Sequence, residues 1–272
     1  MKVILITGAS SGIGFDAARQ LAGQGHKVYA AARRVEKMEA LKEYGVVPLF
    51  LDVTDEESCS AAVQQVLDAE GRIDVLVNNA GFGFYGAVEN VEMEDARRQL
   101  DVNVFGLASL CRKVLPAMRA QGSGRIINIA SVAGHFSMTF GGWYCVSKYS
   151  VEALSDALRM EVKTFGIDVS IIDPSAIRTP WGLIAADNLE SCSAGTVYET
   201  RAAAQTAAFR KYFGGNYFSG PSAVTKAISK AVNARRPRVR YYAGRGARTL
   251  VFLHAVLPAR WWDYLVNRFT TR

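Results

Sequence analysis

The chain lacks the features that mark several protein classes. Its 272 residues include only four cysteines and three histidines, namely Cys59, Cys111, Cys145, Cys192, His26, His135 and His254. No two cysteines form a C-x-x-C pair and the histidines lack metal-ligand spacing, so we expect isolated reduced thiols and no bound metal. No apolar run reaches the ~20 residues that span a bilayer, and no signal-peptide pattern begins the chain. A soluble, cytoplasmic protein is expected.

Internal repeats, low-complexity tracts and Pro/Gly-rich linkers are also absent, while half of the residues are hydrophobic. This composition predicts a single domain with one sizeable core. Short apolar runs alternate with helical patterns, and the predicted strands are residues 3–6, 27–32, 47–51, 74–77, 125–130, 168–172 and 239–242. Such alternation favours an α/β fold, a doubly wound parallel sheet of about seven strands with helices on both faces.

The formal net charge is +7, and much of the excess comes from arginines after residue 234. A basic C-terminal part could contact nucleic acid or anionic lipid, or it could be a solvated surface that also attracts a phosphorylated cofactor. No nucleic-acid-binding motif accompanies the charge, so we favour the second interpretation and expect no nucleic-acid partner.

A glycine-rich turn follows the first predicted strand and precedes a helical pattern. Gly8 permits a tight turn, Gly12 lets the backbone approach a phosphate, and Gly14 allows close helix packing. The helix N-terminus then offers free N–H groups to a pyrophosphate. A glycine pattern in this setting predicts dinucleotide binding, with contacts from the intervening Ser10, Ser11 and Ile13.

The second predicted strand ends in Arg33 and Arg34, and no acidic residue occurs before Glu36. An acid at this place would accept the ribose hydroxyls of NAD, whereas arginine suits the 2′-phosphate of NADP. The alternative is that both arginines are simply solvated in a loop. Asp52 and Val53, after the third strand, are placed to meet the adenine.

Tyr144 stands four residues before Lys148 and thirteen residues after Ser131. A free phenol has a pKa near ~10. The lysine would lie on the same helix face, where its charge would lower the pKa of the tyrosine. Ser131 could hydrogen-bond a substrate oxygen at the same place. The three residues predict proton transfer to or from a carbonyl or alcohol, although a Tyr–Lys pair alone is common on helix surfaces.

These motifs, taken in order with residues 78–81 (Asn-Asn-Ala-Gly) and Asn103, resemble the short-chain dehydrogenases/reductases, nearest to their hydroxysteroid-dehydrogenase-like, NADP-dependent members. The resemblance covers residues 1 to about 180 and implies a Rossmann-type fold. It implies that Tyr144 is the acid/base, that Lys148 lowers its pKa and holds the nicotinamide ribose, and that Ser131 polarises the substrate carbonyl. Asn103 would hold a water in a proton relay.

The resemblance also implies further cofactor contacts. Asn79, Ala80 and Gly81 would stabilise the sheet and touch the adenine ribose. Residues 173–179 would close over the nicotinamide, through Pro174, Ser175, Ile177 and Thr179. The family commonly has glycine where this chain has Ser175, a change that leaves the loop backbone less free.

Substrate specificity is expected after Thr179. Residues 1–180 would be the cofactor-binding and catalytic core, 181–220 a helical substrate lid, and 221–272 the last helix, last strand and a C-terminal extension. Aromatic residues in the lid suit a bulky apolar substrate such as a sterol, retinoid or long acyl chain, or they simply pack the lid on the body. His135 could line the pocket or lie on a loop surface.

The C-terminal extension carries an apolar stripe that could cover the pocket, meet a second subunit or lie on a membrane surface, which we rank last. Helices near residues 96–119 and 144–165 match those through which the family forms homodimers or homotetramers. We therefore expect an NADP(H)-dependent oxidoreductase that interconverts a ketone or aldehyde and an alcohol. The alternatives are a β-ketoacyl thioester reductase and a non-catalytic NADP-sensing regulator.

Overall fold

Seven short apolar segments form one parallel sheet. The computed structural model describes residues 1–270; residues 271 and 272 of the predicted C-terminal extension lie outside the described residues. The strands are β1 (Val3–Thr7), β2 (Lys27–Ala32), β3 (Val47–Phe50), β4 (Val75–Asn78), β5 (Gly124–Ile129), β6 (Ile167–Pro174) and β7 (Arg240–Ala243). Every neighbouring pair is parallel, in the order β3-β2-β1-β4-β5-β6-β7. All seven predicted strands are confirmed, with bounds that differ by at most two residues.

Helices cover both faces of the sheet. Within residues 1–270 the α-helices are α1 (Gly12–Gly23), α2 (Glu56–Glu70), α3 (Met93–Leu100), α4 (Gly106–Ala120), α5 (Gly142–Val162), α6 (Trp181–Ser193), α7 (Glu199–Gly214), α8 (Ser222–Asn233), α9 (Ala247–Val256) and α10 (Ala259–Thr270). A π-helical segment, Asp101–Phe105, joins α3 to α4. The predicted doubly wound α/β fold is confirmed.

The central strands read as continuous apolar runs because both of their faces are buried. Every residue of β1 and β4 is buried. Successive side chains of a strand point to opposite faces, and β1 shows this directly. Leu5 packs in the core cluster on one face, whereas Ile4 and Ile6 pack in the cluster on the other.

The order of the strands reverses beside β1. From β1 the chain moves outward to β2 and β3, then returns to β4 on the other side and continues to β7. A parallel sheet binds its ligand at such a switch point, in the crevice beyond the carboxyl ends of the strands. The glycine-rich turn follows β1 at this edge, and residues 78–81 end β4 beside it.

The C-terminal helices pack partly on the body of the protein. Trp262 is buried with Phe136, their ring centroids 4.8 Å apart, and Leu265 packs on the same cluster. The neighbouring Trp261 is instead 68% exposed. No helix in the described part of the chain is long and apolar enough to cross a membrane.

The close packing of Gly14 generates a stability prediction. A Cβ at this position would lie 2.6 Å from both Asn79 Nδ2 and Gly8 O. We expect Gly14→Ala to lower the free energy of unfolding by about 1–3 kcal/mol, the usual cost of overpacking. Urea denaturation measures it. Gly23→Ala is the matched control on the same helix, since no atom lies within 4 Å of its added Cβ. Equal stability of the two variants would contradict the packing.

Candidate active site

The glycine-rich turn leaves a helix end open. Gly8 and Gly12 have φ values of +65° and +57°, the left-handed region that favours glycine. Ser11 caps α1 without a side-chain hydrogen bond, so no side chain occupies the first N–H groups of the helix. This open end, with glycine where a Cβ would fill the crevice, fits the pyrophosphate of a dinucleotide.

The end of β4 fixes the shape of this turn. The Asn79 side-chain amide donates to Thr7 O at 2.9 Å and to Gly8 O at 3.2 Å. The Thr7 hydroxyl accepts from the backbone N–H groups of Asn79 and Ala80 at 3.0 and 2.9 Å. Ala80 and Val53, both predicted cofactor contacts, line one small cavity together with Thr7. These bonds, together with one from the Ala9 N–H to Ala31 O at 3.3 Å, hold the turn in place.

Arg33 and Arg34 are exposed at the rim of the crevice. Arg34 Nη2 lies 3.3 Å from Ser10 Oγ in the glycine-rich turn. Arg33 Nη1 lies 3.9 Å from Asp52 Oδ2, and Asp52 also accepts from the Thr54 N–H. Both guanidinium groups face the crevice, and Asp52 partly balances their charge.

Asn103, Ser131, Tyr144 and Lys148 come together on the other side of the crevice. Lys148 Nζ lies 5.8 Å from the ring centroid of Tyr144 and donates to Ile129 O at 2.9 Å. Ser131 Oγ accepts from Ala133 N–H at 3.1 Å and hydrogen-bonds to Tyr144. All four side chains are at most 9% exposed. The predicted catalytic residues thus share one buried location.

Asn103 stands in the π-helical segment between α3 and α4. Its side-chain amide donates to Phe82 O at 2.8 Å and to Ser147 Oγ at 3.0 Å, while its oxygen accepts from Phe82 N–H at 3.0 Å. A Cβ on Gly81 would lie 3.1 Å from the same oxygen and 3.8 Å from Lys148 Nζ. π-Helical turns often occur at functional sites. Here the turn places Asn103 beside the lysine.

Burial has the largest effect on the pKa values of both Tyr144 and Lys148. It raises the pKa of Tyr144 to about 12, and the hydrogen bond from Ser131 offsets only part of that. Burial also lowers the pKa of Lys148 to about 8, although Asp173 and Glu152 act in the opposite direction. The prediction that Lys148 lowers the pKa of the tyrosine is wrong for the protein alone, because desolvation of the phenolate is the larger effect.

An aromatic cluster covers Tyr144. The rings of Trp181 and Tyr85 lie 5.1 and 5.9 Å from it, and Phe209 of α7 lies 5.3 Å from Tyr85. Phe140 packs in the same cluster, whereas Phe136 belongs to the C-terminal one. Trp181 of α6 therefore packs directly on the phenol, while Phe209 of α7 packs on Tyr85, and together they form an apolar wall on this side of Tyr144.

The segment after β6 spans the crevice. A Cβ on Gly12 would lie 3.2 Å from Thr179 Cγ2, so Thr179 faces the glycine-rich turn. Ile177 is buried and forms a parallel bridge with Ser219. Ser175 turns its hydroxyl to Arg245 O at 2.9 Å and has no left-handed φ, so serine fits here without the freedom of glycine.

Sequence patterns missed a polar cluster behind Lys148. His135 Nε2 lies 3.7 Å from Glu152 Oε1 and 3.4 Å from Asp173 Oδ2, with 19% of its side chain exposed. Glu152 stands four residues after Lys148 on α5, a spacing that puts the two on one helix face. That spacing was the available signal; the approach of Asp173 from β6 depends on the folded sheet.

The short chain dehydrogenase family model matches residues 2–186. A probable short-chain type dehydrogenase/reductase of Helicobacter pylori, VdlC, is 34% identical over 263 residues, 96% of this chain and 95% of that protein. Estradiol 17-beta-dehydrogenase 1 of Rattus norvegicus is 37% identical over 89% of this chain and 73% of its own. A 3-ketodihydrosphingosine reductase of Bacteroides thetaiotaomicron is 42% identical over 65% of each.

Solved structures with the same fold contain different cofactors, NAD in one and NADP⁺ in another. A short-chain dehydrogenase/reductase of Burkholderia phymatum in complex with NAD has a TM-score of 0.79 at 27% identity, covering 93% of this chain and 92% of that one. A serine dehydrogenase complexed with NADP⁺ has a TM-score of 0.78 at 26% identity, covering 89% and 94%. A nicotinamide cofactor is common to both.

The network around Asn103 generates the second prediction. Asn103→Ala leaves the part-buried N–H and C=O of Phe82 and the buried Ser147 hydroxyl without this partner. We expect the free energy of unfolding to fall by about 1–3 kcal/mol, the penalty for unsatisfied buried groups. Chemical denaturation measures it. Gln64→Ala, which removes an exposed amide bonded to Asp68, should change stability by less than about 0.5 kcal/mol. If Asn103→Ala lowered stability no more than Gln64→Ala, the stabilising role of the Asn103 hydrogen bonds would be contradicted.

Proposed function

The chain belongs to the short-chain dehydrogenase family of oxidoreductases that act on CH–OH groups, and we propose that it interconverts a ketone or aldehyde and an alcohol on a bulky apolar substrate with NADP(H). The observation on which this rests is the convergence of Ser131, Tyr144 and Lys148 in one buried place at the edge of the sheet. It opens toward a crevice that fits a dinucleotide.

We assign each residue one task. The bound nicotinamide supplies the hydride. Ser131 donates a hydrogen bond to the substrate oxygen, where charge develops in the transition state. Tyr144 donates its proton to that oxygen during reduction and accepts it during oxidation. Its high pKa in the protein alone keeps it protonated, as reduction requires. Lys148 places a positive charge beside the phenol. Asn103 stabilises the part of the site that contains Lys148.

The apolar substrate is supported by the aromatic cluster. Trp181 and Tyr85 pack against the phenol itself, so a substrate that reaches Tyr144 exchanges these contacts for its own. Aromatic walls suit flat or elongated apolar molecules. The relatives named for estradiol and 3-ketodihydrosphingosine have substrates of this kind in their names. We propose that residues 181–220 form the substrate lid.

The preference for NADP is supported by Arg33 and Arg34 at the crevice rim. Arg34 already contacts the glycine-rich turn through Ser10. A guanidinium group can bind a 2′-phosphate through charge-assisted hydrogen bonds. Asp52 is close enough to Arg33 to compete for it, which leaves Arg34 as the main candidate ligand.

A homodimer is the proposed assembly. Helix α5 and the π-helical segment before α4 present exposed apolar side chains: Phe105, Val146, Tyr149 and Met160. Burying these residues against a second copy would remove apolar surface from water. They lie on the two stretches that the family resemblance assigned to subunit contact.

The first test of function uses Tyr144→Phe. Purified protein is assayed for NADPH oxidation with ketosteroids, retinal, aromatic ketones and ketoacyl thioesters. We expect turnover of a bulky ketone, and a fall of at least about 100-fold in Tyr144→Phe because the general acid is lost. NADPH binding, measured by fluorescence, should not change. Tyr149→Phe, one turn further along α5 and half-exposed, should keep full activity. Equal activity of Tyr144→Phe and wild type would contradict the mechanism.

The second test concerns the cofactor. Arg34→Glu should weaken NADPH binding by about 10- to 100-fold, the range of a lost charge-assisted contact, and change NADH binding much less. Isothermal titration calorimetry gives both dissociation constants. Lys37→Glu makes the same charge change at an exposed position nearby and should leave both constants unaltered. Tighter binding of NADH than NADPH by the wild type would overturn the NADP assignment.

A further inference from the structure

Three titratable side chains from separate elements meet behind Lys148. His135 follows the short turn after Ser131, Glu152 lies on α5, and Asp173 lies on β6. His135 Nε2 is 3.4 Å from Asp173 Oδ2 and 3.7 Å from Glu152 Oε1. One ligand-type atom from each of the three lies within 4.8 Å of the other two. None of these three residues belongs to the proposed catalytic set of Asn103, Ser131, Tyr144 and Lys148.

Three of the four oxygens of these two carboxyl groups lack a hydrogen-bond donor in the described part of the protein. Asp173 is completely buried, and neither of its oxygens has a hydrogen-bond partner in the described part of the protein. Glu152 is 7% exposed, and its Oε1 also lacks a partner. Arg240 satisfies only Oε2 of Glu152, at 3.0 and 2.8 Å from its Nε and Nη2. Unsatisfied buried oxygens are costly, so this pair requires a hydrogen between its members.

A shared proton fits the surroundings better than a metal ion. The charged and titratable groups around the pair are Lys148 and Asp156 of α5, Arg240 and Tyr242 of β7, His135, and Arg248 of α9 with Arg159 of α5 further out. A divalent cation would meet the positive charges of Arg240 and Lys148 at once. Two buried carboxyl groups in contact instead retain one proton. Burial and Asp173 together raise the pKa of Glu152 to about 8.

We propose that Glu152 and Asp173 share one proton beside His135, and that their remaining negative charge holds Lys148 in its ammonium form. The pair then has a positioning role that acts through Lys148. This role rests on the oxidoreductase function proposed above. The shared proton would also stabilise the carboxyl group that β6 buries directly before Pro174.

The expected direction of the shift in the pH profile follows from the pKa of Lys148. Burial lowers the pKa of Lys148 to about 8, and Asp173 is the larger of the two influences that raise it again. Removing the charge of the pair would lower the pKa of Lys148 further. Both carboxyl groups must be replaced for this, because Asp173→Asn alone would leave Glu152 free to ionise beside Arg240. The lysine would then lose its proton at a lower pH, and activity would fall there. The high-pH limb of the rate profile therefore reports on the pair.

The first experiment compares pH profiles of kcat/KM for NADPH-dependent reduction between roughly pH 6 and pH 10. The double variant Asp173→Asn/Glu152→Gln keeps the shape of both side chains and removes the charge of the pair, so we expect its alkaline limb to move down by about one pH unit or more. Asp156→Asn is the control, because Asp156 pairs with Arg240 and is not among the groups that act on Lys148. The alkaline limb of Asp156→Asn should not move. An unmoved limb in a folded double variant overturns the positioning role.

The second experiment needs no activity. Folded Glu152 keeps its proton up to about pH 8, whereas unfolded Glu152 releases it near ~4.3. The stabilisation from this group is thus present below the unfolded value and lost as pH rises through the folded one. From roughly pH 5 to pH 8 the wild type should lose thermal stability relative to Glu152→Gln. A constant difference in Tm overturns the shared proton, as does stoichiometric metal whose chelation lowers Tm.

The two experiments separate the possible failures. A pH-dependent Tm difference in a protein without reductase activity would contradict the proposed function and retain the shared proton. Reductase activity with the expected shift in Asp173→Asn/Glu152→Gln, but not in Asp156→Asn, would support both. Reductase activity without that shift would overturn only the positioning role.

Discussion

The buried ammonium of Lys148 is the constraint on which the site depends. A charge taken out of water is costly unless partners compensate it. The compensation comes from several directions: the Ile129 carbonyl at the end of β5, and the carboxyl groups of Asp173 and Glu152. Helix α5 presents Tyr144 on the same face one turn earlier, so any arrangement that satisfies the lysine also places the phenol. The sheet, α5 and the turn after β5 are thereby held to a single geometry.

The catalytic residues and the predicted cofactor-binding residues lie at the same edge of the sheet. Gly8 and Gly12 turn the chain after β1, Asn79 ties that turn to β4, and Ser131 follows β5. These features come from neighbouring strands, and parallel strands end at one edge. The chain therefore needs only short loops to bring a dinucleotide, a hydroxyl and a phenol together. The residues after β6, ending in Thr179 beside Gly12, close the remaining side.

Local patterns predicted the strands, the glycine-rich turn and the Tyr144–Lys148 pair because each depends on neighbours in sequence. The pKa of Tyr144 could not be predicted in that way, since it depends on how completely Trp181 and Tyr85 exclude water from the phenol. The meeting of His135 with Asp173 depends on the position of β6 beside β5. The sequence predicts that serine at position 175 leaves the loop backbone less free than glycine, and only the fold shows its hydroxyl bonded to Arg245 O.

The most direct test of the central claim follows the hydrogen itself. NADPH labelled with deuterium at the transferable position of the nicotinamide is incubated with the protein and a reducible ketone, and the alcohol is analysed by mass spectrometry and NMR. The account predicts one deuterium on the carbon that bears the new hydroxyl, and at least about 100-fold slower formation of that alcohol when Tyr144 is replaced by phenylalanine. Alcohol formed without deuterium at that carbon, or formed at the same rate by the variant, would contradict it.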